Sequence, residues 1–149
     1  MQSQSVRKAV PLGMLLSLPS ARYGFRGEEM SYKDNKLLEK GTYKGVPFYI
    51  IETSMGWPCS YIDVSKVDGF KFDLECDRND IDCHGGCTYA NNKLKVGDEV
   101  FYGNIVGWDY AHWGDWVPYI DNCCGHKWTL DELIAEVLEV IDDLLEREA

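Results

Sequence analysis

WTLDELIAEVLEVIDDLL, residues 128–145, is the stretch whose reading decides the fold. Thr129 and Glu132 have the spacing of a capping box: the threonine oxygen accepts from the amide three residues on, and the glutamate reaches back. Trp128 and Leu133 flank the cap as a hydrophobic staple. Leu130, Leu133, Ile134, Val137, Leu138, Ile141, Leu144 and Leu145 then recur at three- and four-residue steps. That is an apolar stripe along about 30 Å of helix at 1.5 Å per residue. The other face holds Asp131, Glu132, Glu136, Glu139, Asp142, Asp143, Glu146 and Glu148. Such a stripe is first of all the face a helix lays on the sheet of its own domain, and the acidic face reads as solvated surface.

Upstream of the helix the patterns are those of strands and turns. Residues 34–40 read as a short helix or turn ended by Gly41, a residue suited to the position after a helix. Thr42-Tyr43 and residues 46–53 flank Lys44-Gly45, which is hairpin-turn chemistry. Residues 60–64 alternate, and Asp68-Gly69 marks a turn. Phe70, Phe72, Leu74 and Cys76 then alternate with Lys71, Asp73 and Glu75, the period of a half-buried strand. Asn91-Asn92 and Gly97-Asp98 read as further turns, and residues 100–108 as a strand rich in aromatic and β-branched side chains. Strands followed by one long helix define an α+β domain. Its expected form is a curved, mostly antiparallel sheet packed by one long C-terminal helix.

Composition bounds the function. The chain has 149 residues, 45% of them hydrophobic, enough for a single domain with a real core. No run reaches the ~20 apolar residues of a membrane span. The net charge is −10, which argues against direct grip on nucleic-acid phosphates, since that needs a basic face to release counterions. The charge is uneven: residues 1–29 hold four basic and two acidic side chains, so the remainder carries −12. Residues 1–29, with a short apolar run broken by Pro11, Gly13 and Pro19, read as a flexible extension ahead of a natural start at Met30, and residues 30–149 as the domain.

Two segments have the composition of a site. The first is Asp82-Cys83-His84-Gly85-Gly86-Cys87-Thr88-Tyr89, where paired glycines after a histidine free the backbone for close approach of a ligand. The second is Gly107-Trp108-Asp109-Tyr110-Ala111-His112-Trp113-Gly114-Asp115-Trp116, which follows a strand. Asp109, His112 and Asp115 are three residues apart, so one helical turn would set them on one side. The surrounding rings suit the walls of a pocket. The ligand-binding candidates are therefore His84, Gly85, Gly86, Thr88, Tyr89, Trp108, Asp109, His112 and Asp115. His84, His112, Asp109 and Asp115 are also candidate ligands for a divalent metal, two histidines and a carboxylate with open positions. The dull alternative is that all of these are turn and core residues.

The order His-Gly-Gly-x-Thr-Tyr, then about twenty residues later Gly-Trp-Asp-x-Ala-His-x-Gly-Asp, resembles a widespread family of small phage and prophage proteins of uncharacterised function. His84, Gly85, Gly86, Thr88, Tyr89, Gly107, Trp108, Asp109, Ala111, His112, Gly114 and Asp115 match its pattern. Cys59-Ser60-Tyr61-Ile62-Asp63-Val64 is similar to an upstream Cys-Gly-Tyr-Val-Gly-Val element. Tyr110 replaces a cysteine, and Trp113 replaces a small residue, which would narrow a pocket. The resemblance implies a phage origin and a host-cytoplasm setting, but no activity.

Cys76, Cys83, Cys87, Cys123 and Cys124 lack the spacing of a zinc site, since no C-x-x-C pair exists, and read as reduced thiols. The leading expectation is a binding protein rather than an enzyme. It would capture a small polar or nucleotide-like ligand, or block a host defence factor. The alternatives are a metal-dependent hydrolase at the His/Asp site and an acidic inhibitor that occupies the basic groove of a host nucleic-acid-binding enzyme.

Overall fold

The computed structural model describes residues 34–118 and 125–148. The extension 1–29 and the Cys123-Cys124 pair lie outside the described residues. Among the described residues the chain forms β1 (Lys36–Tyr43), β2 (Val46–Glu52), β3 (Pro58–Asp63), β4 (Tyr89–Val96), β5 (Glu99–Asp109) and α1 (Leu130–Arg147). Short 3₁₀ turns occur at Val64–Lys66 and Cys76–Arg78. All pairings between these strands are antiparallel, in the spatial order β1-β2-β3-β5-β4. The fold is α+β, with the C-terminal helix packed on a curved sheet.

The hairpins close where the turn residues dictate. Tyr43 pairs with Val46 across Lys44-Gly45, whose φ values of 49° and 84° are the left-handed pair that matches strand twist. Val96 pairs with Glu99 across Gly97-Asp98. One face of the sheet (Phe48, Ile50, Ile62, Val106, Trp108, Tyr110) buries against Leu133, Val137, Ile141 and Leu144 of α1. The opposite face gathers Tyr49, Ile51, Cys59, Tyr61, Leu94, Val96 and Ile105. Tyr49 on β2 stacks on Phe101 of β5 at 4.5 Å although β3 runs between those strands, so the sheet curls strongly toward this face. Gly107 allows that packing: a Cβ there would lie 2.3 Å from the Tyr61 ring, which instead meets Tyr89 edge-on at 5.1 Å.

Three local expectations are corrected. Residues 36–40 are strand, not helix; pairing of β1 along β2 outweighs the helix-forming Lys-Leu-Leu-Glu-Lys composition. The alternating segment 70–76 forms no strand. The Asn79 side chain instead takes the amide of Asp73 and donates to the Asp73 and Glu75 carbonyls, closing the segment on itself, while Phe70 and Phe72 still pack on the helix-side core. Asn91-Asn92 lies within β4, at a register shift between Asn91 and Lys93 rather than at a chain reversal.

The helix start is as the sequence reads. The Thr129 hydroxyl accepts from the Glu132 amide at 3.2 Å, and the Glu132 carboxylate accepts from the Thr129 amide at 2.9 Å. That amide, foremost, holds the Glu132 carboxyl below its ordinary range. Thr129→Ala should therefore lower unfolding free energy by about 1 kcal/mol in urea titrations. A depressed folded-state value means that the Glu132 half of the cap stabilises above the ordinary glutamate range and is lost as pH falls through the folded value. The gap between wild type and Glu132→Ala should accordingly shrink in acid.

Candidate functional site

The end of β5 is where the two histidine segments meet. β5 carries Asp109 and then turns at 112–115, where the Asp115 amide donates to the His112 carbonyl at 2.9 Å. The Asp115 carboxylate returns the favour, accepting from the His112 amide at 2.9 Å. It is 3% exposed and also lies 2.8 Å from His84 Nε2, while Trp128 Nε1 donates to it at 3.0 Å. One buried carboxylate thus ties together the loop 82–88, the turn after β5 and the approach to α1. Asp109 makes a second pair of the same kind, its Oδ1 lying 3.0 Å from His112 Nε2.

The two pairs sit side by side, with the His84 and His112 rings 5.9 Å apart between centroids. Tyr110 stacks on His84 at 5.1 Å, and Trp128 meets His84 edge-on at 5.0 Å. Gly85 has φ 71°, and a Cβ there would fall 2.4 Å from the His112 ring. The glycine after His84 is therefore required for the loop to close over His112.

Glu136 holds the other side. Its carboxylate accepts from the His84 amide at 2.7 Å, from Trp108 Nε1 at 2.9 Å and from the Tyr110 hydroxyl. The Tyr110 hydroxyl also pairs with Ser60 Oγ at 3.0 Å. Burial, and then the Glu136 charge, raises the Tyr110 phenol well above its ordinary range. Burial likewise pushes the Cys87 thiol up to about 12 and Cys83 well above the usual thiol range. Burial thus disfavours the thiolate form of both cysteines, which argues against either as a ready nucleophile.

The structure brings together His84, Gly85, Asp109, His112 and Asp115, with Thr88 Oγ1 3.5 Å from Asp109 Oδ2. Gly86, at φ 86°, serves the same loop, donating its amide to the Cys83 carbonyl. Two of the nine candidates touch neither histidine pair, Trp108 reaching the site only through its indole N–H on Glu136. Trp108 is 1% exposed and belongs to the core beneath α1. Tyr89 packs on the opposite face and donates its hydroxyl to the Lys93 carbonyl at 2.6 Å. Trp113 narrows nothing: its side chain is fully exposed at the tip of the turn. The four metal-ligand candidates form two separate histidine–carboxylate pairs, and among the described residues no three His, Cys, Asp or Glu side chains converge on one point.

Glu136 and Trp128 are the members that the sequence reading did not place in the site. The signal for Glu136 lies in the helix period: it sits three residues after Leu133 and four before Val140, at the border of the buried stripe.

Beside His84 opens a cleft of about 490 Å³ lined by Asp82, Cys83, His84, Glu136, Glu139, Val140 and Asp143. Among the described residues its wall contains four carboxylates and no lysine or arginine. Asp143 is paired with Arg147 at 3.3 Å, whereas Asp82 and Glu139 have no cationic partner among the described residues. Taken together, fold and site define a small α+β domain with a hydrogen-bonded His/Asp junction at one end of its sheet, flanked by an acidic cleft. Comparison with protein-family models, with curated proteins and with solved structures finds no match for this chain. Among the described residues no helix is long and apolar enough to cross a membrane.

Proposed function

We propose that this chain is a small phage-type binding protein that acts in the host cell by occupying a basic surface of a host factor. The observation that carries the reading is the negative wall beside His84, in which Asp82 and Glu139 face a cleft without a neutralising cation among the described residues. Such a wall attracts Lys and Arg side chains, speeds encounter with a basic groove and repels phosphate. It favours a basic protein partner over a nucleotide-like ligand, whose anionic part would meet four carboxylates. Metal-dependent hydrolysis has less support, because among the described residues no three ligating side chains converge on one point. The phage setting rests on the motif resemblance around His84 and His112.

The test is calorimetric titration with hexa-arginine and, separately, with ATP. Hexa-arginine should bind more weakly as salt is raised, and ATP should not bind. Asp82→Asn combined with Glu139→Gln should reduce hexa-arginine affinity about ten-fold. It should leave the melting temperature unchanged, because neither side chain makes a hydrogen bond among the described residues. Undiminished affinity in the double variant, or tighter binding of ATP than of hexa-arginine, would overturn the proposal.

A further inference from the structure

A second concavity shares no lining residue with the acidic cleft. It has a volume of about 110 Å³, and its walls include Tyr110, Trp116 and Trp128, with Glu52 and Lys127 among its other residues. Tyr110 and Trp128 make an angled corner, their ring centroids 4.9 Å apart and their planes tilted by 57°. The remaining ring, Trp116, already carries a cation on its face: Lys127 Nζ stands 4.4 Å from its centroid. The Glu52 side chain has neither a hydrogen-bond nor an ion-pair partner among the described residues.

Aromatic faces attract cations through the ring quadrupole, most strongly when the charge is partly desolvated. A carboxylate in the lining adds selectivity for charge over shape. We infer that this slot is a binding site for a small alkylammonium ligand of the choline class, with Trp116 as the ring that faces the cation and Glu52 as its counter-ion. Lys127 then acts as a resident competitor, holding the Trp116 face until the ligand displaces it. The volume suits a quaternary ammonium head and excludes a larger ring system.

The experiment is a titration with choline, followed by tryptophan fluorescence, against its neutral isostere 3,3-dimethyl-1-butanol. Choline should bind and the isostere should not. Glu52→Gln should weaken choline about ten-fold, whereas Lys127→Met should strengthen it about three-fold or more by removing the competitor. Lys127 is exposed and the Glu52 side chain makes no hydrogen bond among the described residues, so melting temperatures should stay near wild type. Trp116→Leu should abolish binding, and it leaves intact the backbone bond from the Trp116 amide to the His126 carbonyl. Equal binding of choline and the isostere, no binding of either, or unchanged choline affinity in Lys127→Met would each overturn the inference.

Discussion

Replacing Asp115 by alanine is expected to lower the free energy of unfolding by about 3 kcal/mol or more, since three donors lose their acceptor at ~1–3 kcal/mol each. The reason is the number of donors that depend on it. His84 Nε2, the indole N–H of Trp128 and the amide of His112 all converge on this carboxylate, at 2.8–3.0 Å. Alanine leaves these groups in a nearly dry junction with no acceptor, and each unsatisfied donor carries a desolvation penalty. The melting temperature should fall by on the order of 10 °C. Asp115→Asn keeps one acceptor oxygen but turns an amide N–H₂ toward the remaining donors, so it should fall between the two. A melting temperature for Asp115→Ala within experimental error of wild type would mean that the junction is not what joins the loop 82–88 to the helix approach.

The second large effect belongs to Glu136. Glu136→Leu should cost about 2–4 kcal/mol in chemical denaturation, because the Trp108 indole, the Tyr110 hydroxyl and the His84 amide lose their shared acceptor beneath α1. Leucine at this position adds apolar surface, so a stripe-only view of the helix predicts the opposite sign. Glu136→Gln separates charge from hydrogen bonding. It keeps an acceptor oxygen and removes the negative charge that helps raise the Tyr110 phenol. Ultraviolet titration should then show Tyr110 ionising at lower pH than in wild type. It should remain above the ordinary tyrosine range, since burial is the larger cause.

The parts of the fold legible in the sequence are those governed by local chemistry. The Thr129/Glu132 cap, the 133–137–141–144 stripe and the Lys44-Gly45 and Gly97-Asp98 turns are each specified within a few residues. What misled was local pattern overruled by distant partners. Lys36-Leu37-Leu38 has helix-forming residues, yet β2 offers it a strand edge. Phe70–Cys76 alternates as a strand should, yet Asn79 ties its backbone into a loop.

The site divides in the same way. His84, Asp109, His112 and Asp115 were legible because histidine, glycine and aspartate crowd two short segments, and the structure brings those segments together. Trp108 was read as a pocket wall from its neighbours in sequence, but strand alternation points it to the helix side. Glu136 was hidden among the acids of α1, since composition alone does not separate a carboxylate at the border of the buried stripe from one in solvent. The two have different chemistry: Glu136 organises the core beneath His84, while Glu139, one turn on, faces the cleft.

The central claim is that the acidic cleft beside His84 receives a basic partner, and the most direct measurement is an amide chemical-shift map during titration with hexa-arginine. The proposed binding predicts shifts concentrated at residues 82–84 and 136–143, fading as salt is raised, with the Gly97-Asp98 hairpin unmoved. Shifts scattered over the surface, or a His84 loop that responds to ATP and not to hexa-arginine, would contradict it.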